Sequence, residues 1–311
     1  MNTEKGRWGV IYSSRAGSFK AHKRWDMIRR YMESRGVQYD FVQSEGFGSV
    51  ERLTKMLCSN GYHTIVLVGG DGTLNDALNG ILQFDNLPDD FAFGIIPNGI
   101  GNDFARFWGM TVDDYKQSVD NIIARRTRLI DVGCCSYTDK DNVPQKRFFL
   151  NCINIGLGAR LVKLADDAMR LIGSKRLSLL SLMIVQIFER KAFTVSIDVD
   201  KEHIKQDVMS ICIGNCHGYG QTPNSVPYNG LLDMSIVTRP KWWQLFEGFW
   251  LLGKGHFLNY RNVYPYRAVK MVISDIDKAN ISLDGRILID EINFPMSVKI
   301  VREKINFIVP L

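Results

Sequence analysis

The stretch Thr64-Ile65-Val66-Leu67-Val68-Gly69-Gly70-Asp71-Gly72-Thr73 decides the fold of this 311-residue chain. Its first five residues predict a buried strand, and the glycines after them predict a tight turn into a helix. Glycine lets main-chain N–H groups approach phosphate oxygens at the positive end of that helix. A plain tight turn is the alternative, because one glycine-rich turn alone is weak support for a phosphate site.

A second glycine-rich loop supports the phosphate site. It has the sequence Pro97-Asn98-Gly99-Ile100-Gly101-Asn102-Asp103 and follows the apolar run 91–96. Two such loops at the carboxyl ends of strands would face the same crevice, which is where open parallel sheets bind ligands. The pair therefore predicts one nucleotide site.

The order of predicted elements indicates two domains, as the length of the chain also favours. Strands alternate with helices until about residue 132, which is typical of a doubly wound parallel sheet. The helix after the first loop places the apolar residues of 74–81 on one face. After residue 132, period-two alternation such as that of 193–199 predicts an antiparallel β domain.

Composition and charge agree with an ordinary globular protein but select no partner. The net charge of +6 and the pI near 8.9 are compatible with ATP, anionic lipid or nucleic acid. The N-terminus has no signal-peptide pattern. The longest apolar run, Leu177–Phe188, is shorter than the ~20 residues that a spanning helix needs. We therefore expect a cytoplasmic protein.

In their order and spacing, the motifs resemble the diacylglycerol kinase catalytic-domain family, which includes bacterial lipid kinases and sphingosine and ceramide kinases. The family marks are G-G-D-G-T, P-x-G-[TS]-x-N-D and, near the C-terminus, D-G-E. This chain supplies 69–73, 97–103 and Asp284-Gly285-Arg286. G-G-D-G-T alone is shared with NAD kinases and phosphofructokinases, but the segments 130–133, 151–158 and 213–233 extend the resemblance over essentially the whole chain.

The resemblance implies an N-terminal doubly wound, NAD-kinase-like α/β domain and a C-terminal antiparallel β-sandwich-like domain, with the active site in the cleft between them. The nucleotide-binding domain would cover residues 1–132, and residues 299–311 would return to it. The β-rich lipid or substrate domain would cover 133–298.

The resemblance also implies an ATP-dependent lipid kinase of phospholipid metabolism that uses Mg²⁺ and phosphorylates diacylglycerol, a long-chain base or a related lipid alcohol. Asp71 would act in catalysis by contacting the magnesium of ATP, from a surface loop that packs little core. The residues expected to hold ATP are Ser44, Gly69, Gly70, Asp71, Gly72, Thr73, Leu74, Asn75, Gly99, Ile100, Gly101 and Asn102.

The sequence departs from the family pattern at the expected general base. Arg286 replaces the family's Glu, so Asp284 is the predicted proton acceptor, and Asp290 and Glu291 are the next candidates. An arginine beside Asp284 would make it a weaker base than a desolvated Glu. Ile100 replaces a Thr or Ser that would meet the nucleotide.

A second, structural magnesium site is implied by the bacterial members of the family. The carbonyls of Val226 and Leu231 would be its ligands together with Asn229, which replaces the family's Asp. Because Asn is a neutral ligand, we expect this site to be weak or empty.

Two alternatives to the lipid kinase stay open. One is a catalytically weak nucleotide- or lipid-binding protein of the same fold, which the altered Arg286 favours. The other is NAD kinase or another kinase of soluble substrates, and the loop 97–103 argues against NAD kinase.

The segment Lys241–Lys254 is the candidate for contact with a membrane, because aromatic rings and flanking lysines recur in it. A helix that covers the β domain with these aromatic rings in the core is the interpretation that their spacing favours. A lipid substrate lies in a bilayer, so we also expect peripheral association at the inner membrane face. We expect no nucleic-acid partner, and the sequence does not predict an oligomeric state.

Overall fold

The computed structural model describes residues 6–13, 19–46, 48–84, 87–99, 101–159, 192–277, 279–288 and 292–310. The chain divides into two compact units, Met1–Ile130 with Glu303–Leu311, and Asp131–Arg302. Four features named above lie outside the described residues: Ile100, the run Leu177–Phe188, Asp290 and Glu291. The predicted active site in a cleft between the domains stays a prediction.

The first unit alternates strands and helices. Its elements are β1 (Trp8–Ser13), α1 (Phe19–Ser34), β2 (Tyr39–Ser44), α2 (Ser49–Ser59), β3 (Thr64–Gly69), α3 (Asp71–Ile81), β4 (Ala92–Pro97), α4 (Asp103–Phe107) and α5 (Tyr115–Ala124).

The strands of this unit form a parallel sheet in the order β2-β1-β3-β4, and Phe307 near the end of the chain pairs with Phe93 of β4. Strands β1, β3 and β4 are buried along their whole length, which explains their unbroken apolar runs. The chain leaves β1 toward one edge of the sheet and returns on its other side at β3. This reversal is a topological switch point, the place where open α/β sheets bind ligands.

Helices cover the sheet with the apolar faces that the sequence predicts. In α1, Trp25, Ile28 and Met32 are buried, and the Trp25 ring stacks on Tyr12 of β1 at 4.7 Å between centroids. In α3, the apolar face of 74–81 is buried as predicted. Burial of each such side chain contributes about 1.5–3 kcal/mol to the stability of the folded state. The sheet and helices that carry the loops are therefore well packed.

The second unit is antiparallel. Its elements are β5 (Thr127–Asp139, which begins in the first unit), β6 (Pro144–Phe149), β7 (Cys152–Gly156), β8 (Phe193–Val199), β9 (Glu202–Gly214), β10 (Leu232–Thr238), α6 (Gln244–Gly253), β11 (Val263–Ala268), β12 (Lys270–Ile276), β13 (Ile281–Leu283), β14 (Arg286–Ile287) and β15 (Ile292–Ile308, which ends in the first unit).

Strands of the second unit run in the order β14-β13-β7-β9-β8-β12-β15, and β10 pairs with both β9 and β11. In β8 the alternate residues Phe193, Val195, Ile197 and Val199 are buried, as the period-two pattern predicts. These side chains belong to one core cluster with residues of β9, β12 and β15. The predicted fold class, a doubly wound α/β domain with an antiparallel β domain, is confirmed.

The helix α6 corrects one prediction. Its Leu245, Gly248 and Leu251 are buried and cover the β domain. Four of the five aromatic residues of the segment are not in the core, because Trp242, Trp243, Phe246 and Trp250 are 52%, 53%, 58% and 63% exposed. The fifth, Phe249, is partly buried and packs against the cluster under the helix. The prediction that the rings pack inward is therefore wrong for these four, and leucines and a glycine make most of the buried face. Among the described residues, no helix has the length and apolar content to cross a bilayer.

Candidate functional site

The carboxyl ends of the four parallel strands collect most of the predicted nucleotide residues. Ser13 of β1 lies opposite Ser44 of β2, and Gly69 of β3 lies opposite Pro97 of β4. The Thr73 hydroxyl donates a hydrogen bond to the Ser13 hydroxyl at 3.4 Å. Ser13, Ser44 and Thr73 are all buried. These side chains therefore lie at the β1–β3 switch point.

The two glycine-rich loops touch each other through their backbones. The Asn98 N–H donates to the Gly69 carbonyl at 2.8 Å. A Cβ atom on Gly99 would lie 2.5 Å from the Gly70 Cα, a distance at which the loops could not stay together. Asn102, in the left-handed region at φ 53°, closes the second loop, because its side chain accepts from the Gly99 N–H and donates to the Gly99 carbonyl. Glycine is thus required for this contact.

Asp71 links the two loops. The sequence predicts it on a surface loop, but it is buried. It is 8% exposed, and its carboxylate accepts the N–H groups of Asp103 at 2.9 Å and Phe104 at 3.0 Å, which begin α4. Burial raises the pKa of Asp71 to about 6, and these two hydrogen bonds oppose the rise. The carboxylate thus holds the second loop against the first. Its predicted contact with magnesium stays a prediction.

Two residues that are predicted to contact ATP, Leu74 and Asn75, lie in the first half of α3. The Leu74 side chain is 1% exposed, and its N–H donates to the Gly70 carbonyl within the first turn of the helix. The Asn75 side chain is buried and accepts from Nδ2 of Asn79. Both side chains pack within α3, and their predicted contacts with ATP stay predictions. The helical period that places Leu74 in the core was visible in the sequence.

Residues near the loops that sequence reasoning missed are Arg24, Asp103 and Arg106. Nη1 of Arg24, on α1, donates to Oδ1 of Asn98 at 2.7 Å. Nη2 of Arg106 lies 2.9 Å from Oδ1 of Asp103, whose charge also acts on Asp71. Arg24 is 74 residues from its partner within a basic run, and no sequence signal separates it from its neighbours.

The predicted proton acceptor, Asp284, is a buried anchor. It is 2% exposed and has φ 45°, and its carboxylate accepts three main-chain N–H groups, from Leu150 at 2.7 Å and from Asn151 and Cys152 at 2.9 Å. Main-chain donors thus engage both oxygens of the carboxylate. The geometry therefore argues against Asp284 as the general base.

The turn that Asp284 holds belongs to a larger buried polar network. The Asn151 side chain accepts the Gly218 N–H, and Nδ2 of Asn215 donates to the carbonyls of Leu150 and Asp131. The Asp131 carboxylate in turn accepts the Gly230 N–H at 2.7 Å. The family segments of the second domain, although far apart in sequence, thus converge on one network.

Arg286 is half-buried on β14, where it pairs with Leu283 of β13, next to the anchored Asp284. Within the residues that the structure describes, no three His, Cys, Asp or Glu side chains are grouped so that they could hold a metal ion.

Two predicted ligands of the implied structural magnesium site already accept main-chain hydrogen bonds. The Val226 carbonyl accepts the Tyr228 N–H at 2.8 Å, and the Asn229 side chain accepts the Leu231 N–H at 3.0 Å. The Arg302 guanidinium lies against Gly230, where a Cβ would be 2.3 Å from its Nε. A positive side chain beside the loop opposes a second cation there.

Comparison with known proteins now adds to this geometry. Residues 7–135 match the diacylglycerol kinase catalytic domain, and residues 151–309 match the YegS C-terminal NAD kinase beta sandwich-like domain. The fold and the two matches define the class: two-domain proteins with a C-terminal domain like the NAD kinase beta sandwich. Within it, this chain belongs to the diacylglycerol kinase catalytic-domain family, as the motifs predicted.

Named relatives and solved structures agree with that placement. A diacylglycerol kinase of Bacillus subtilis is 23% identical over 286 residues, 89% of this chain and 88% of that protein. One of Staphylococcus epidermidis is 25% identical over 264 residues, 82% of this chain and 77% of that protein. The crystal structure of a diacylglycerol kinase from Bacillus anthracis has a TM-score of 0.72 at 20% identity and covers 99% of this chain and 98% of its own. Yeast NADH kinase complexed with NADH reaches 0.52 at 11% identity, over 99% and 85% of the two chains. These structural likenesses concern the fold alone.

Proposed function

We propose that this chain is an ATP-dependent kinase that phosphorylates the hydroxyl of a lipid alcohol, such as diacylglycerol or a long-chain base. The observation that carries the proposal is the backbone contact between the two glycine-rich loops at the carboxyl ends of β3 and β4, next to the β1–β3 switch point. The lipid acceptor is suggested by what the relatives are named, and the nucleotide by the loops themselves.

The loops suit an anionic phosphate chain for two physical reasons. Glycines have no side chain, so main-chain N–H groups can converge on phosphate oxygens. The N-cap residue of α3, Gly70, has no side chain to bond the first N–H groups of the helix, which therefore can bind an anion. Arg24 and Arg106 add positive charge beside the second loop. Bound ATP would supply the phosphoryl group, with magnesium to neutralise the charge that develops in transfer.

Asp71 and the neighbouring Asp103 are the carboxylates that would hold the magnesium of ATP. Each oxygen of Asp71 accepts one N–H and has a second lone pair. A hard divalent cation prefers such oxygens, and its charge would keep Asp71 ionised despite burial. The residues present therefore fit a phosphate-bound magnesium ion.

A binding protein with little transfer activity is the second candidate. Two points favour it: the resemblance implies a Glu at the position of Arg286, and the Asp284 carboxylate is engaged by three N–H groups. General-base catalysis contributes about 10²–10⁴-fold when present. Without it, nucleotide and lipid affinity would survive while turnover fell.

One experiment tests the proposal and its alternative together. The purified protein is incubated with γ-labelled ATP, Mg²⁺ and vesicles that contain a mixed lipid extract, and nucleotide binding is measured in parallel. We expect labelled lipid. Binding without labelled lipid would support the second candidate, and absence of both would refute the nucleotide site.

A pair of glycine variants ties the result to the loops. Gly99→Ala places a Cβ 2.5 Å from Gly70, so we expect it to abolish nucleotide binding. Gly253→Ala is the matched control, because nothing lies within 4 Å of the added Cβ. Equal nucleotide affinity of Gly99→Ala and Gly253→Ala would show that the loops are not part of the nucleotide site.

A further inference from the structure

The helix α6 is apolar on two opposite faces. Its inner face, with Leu245, Gly248 and Leu251, packs on a cluster that includes Phe257 and Tyr260. Gly248 approaches Tyr260 so closely that a Cβ would lie 3.0 Å from the ring. The orientation of the helix is therefore fixed by its inner contacts.

Four large aromatic side chains lie on the other side: Trp242, Trp243, Phe246 and Trp250, here called the aromatic face. All are more than half exposed, whereas Trp8 and Trp25 are 6% exposed. The spacing of about one turn between 243, 246 and 250 places the rings in a row along the helix. A helix on a water-exposed surface normally turns polar residues outward. A contiguous exposed apolar surface of this kind marks an interaction site.

Positive charges surround the aromatic face. In the segment 239–261, the basic side chains are Arg239, Lys241, Lys254 and Arg261, and Glu247 is the one acidic residue. The Lys241 ammonium lies 5.3 Å from the centre of the Trp243 ring. Arg261 is 3.4 Å from Glu247. The rim is thus complementary to an anionic surface rather than to a basic one.

Tryptophan has an apolar body and one polar N–H, and it is enriched where a bilayer meets water. Lysines at both ends of an aromatic segment match the same boundary, because their stems are apolar and their ends charged. At 10 residues, α6 is too short to span the ~20-residue thickness of a bilayer, so it would lie in the plane of the surface.

We infer that the aromatic face of α6 docks the protein on the surface of an anionic lipid bilayer. The inference rests on the proposed function in one respect: docking would bring a lipid kinase to a substrate that lies in the bilayer. Docking itself requires neither nucleotide nor transfer, and so it is tested without them.

The test uses the full chain and vesicles of phosphatidylcholine, alone or mixed with phosphatidylglycerol, in the absence of ATP. Sedimentation measures binding, and the tryptophan emission measures transfer of the rings from water. We expect binding to the mixed vesicles with a blue shift of the emission. Trp250→Ala should weaken binding about tenfold or more, because one aromatic ring fewer is transferred from water to lipid. Its Tm should be unchanged.

Three matched variants separate docking from folding and from general apolar exposure. Leu251→Ala, on the inner face, should lower Tm while its folded fraction binds vesicles like the wild type. Phe41→Ala removes an exposed aromatic ring of the first unit, 42% exposed, and should leave vesicle binding unchanged. Lys241→Glu with Lys254→Glu should abolish the preference for phosphatidylglycerol.

Each remaining outcome overturns the inference. Wild-type protein that stays in the supernatant with both vesicle types shows that the face does not dock on lipid. A large decrease in the Tm of Trp250→Ala would show that the Trp250 ring stabilises the fold instead of docking on lipid. Self-association in sedimentation velocity that Trp250→Ala abolishes shows that a second copy of the chain occupies the face.

Discussion

Two buried aspartates, Asp71 in the first unit and Asp284 in the second, stand in glycine motifs and do the same structural task. Asp71 accepts two N–H groups from a turn 32 and 33 residues away. Asp284 accepts three, from a turn 132 to 134 residues away. Each carboxylate fastens a distant turn to its own motif.

The difference lies in what surrounds them. Asp71 has a second carboxylate nearby and a pKa raised to about 6, and it borders two loops whose close backbone contact requires glycine. Asp284 is enclosed in a network of main-chain and asparagine groups. An aspartate of a motif can therefore hold a distant turn and also bind magnesium, as we propose for Asp71. The geometry of Asp284 indicates that it only holds the turn.

The largest effect is expected from Asp71→Ala. It removes both the acceptor for two buried N–H groups and the proposed magnesium ligand. We expect transfer to fall ~100-fold or more and the free energy of unfolding to fall by about 2 kcal/mol or more. Label transfer and urea denaturation measure the two effects.

Asp113→Ala, at an exposed aspartate of the same unit, is the control and should change neither quantity. If Asp71→Ala kept activity within threefold of the control, the proposed role of Asp71 in the nucleotide site would be wrong.

Asp284→Asn sharpens the contrast by keeping the size of the side chain. The remaining oxygen can still accept from Asn151 and Cys152, but the amide turns an N–H toward the N–H of Leu150. We expect a loss of about 2–3 kcal/mol in the free energy of unfolding, and near-normal turnover per folded molecule. Chemical denaturation and single-turnover transfer would check this. Unchanged stability with turnover reduced ~100-fold would instead restore Asp284 as the general base.

The sequence predicted the loops better than it predicted the carboxylates. Strand, glycine turn and helix are local patterns, and neighbouring parallel strands bring Gly69 and Pro97 to one edge. The partners of Asp71 and Asp284 are main-chain N–H groups, which every residue except proline carries. No residue pattern therefore marked Asp103, Phe104 or Leu150 as those partners.

The same limit explains α6. Leucine and tryptophan are both apolar, so hydropathy along 242–252 could not tell which face is buried. The glycine at 248, which admits the Tyr260 ring, is the signal that identifies the inner face once the helix is known.

The pH dependence of stability tests the environment of Asp71 directly. Its pKa is about 6 in the folded protein against an ordinary value of 3.8. Below pH ~4 both states bind the proton, so this group contributes no pH dependence. Between pH ~4 and ~6 the folded state keeps a proton that the unfolded state releases, so stability falls as pH rises.

Without nucleotide or metal, the wild type should therefore lose about 1–2 kcal/mol relative to Asp71→Asn between those pH values, and the loss should level off by pH ~7, where the folded state is also ionised. Urea denaturation across the range measures the difference. Parallel curves for the two proteins would show that burial does not raise the pKa of Asp71.

The smallest effect, Arg286→Glu, decides between the two candidate functions. Arg286 is half-buried on β14, at the position where the resemblance of the motifs implies a Glu. If transfer is slow because no carboxylate accepts the hydroxyl proton, Arg286→Glu should raise turnover about tenfold, at the low end of general-base catalysis. Arg286→Gln removes the same positive charge without supplying a base and should give no gain. Equal gains in both variants would attribute the slow transfer to the arginine charge, and no gain in either would show that residue 286 does not limit transfer.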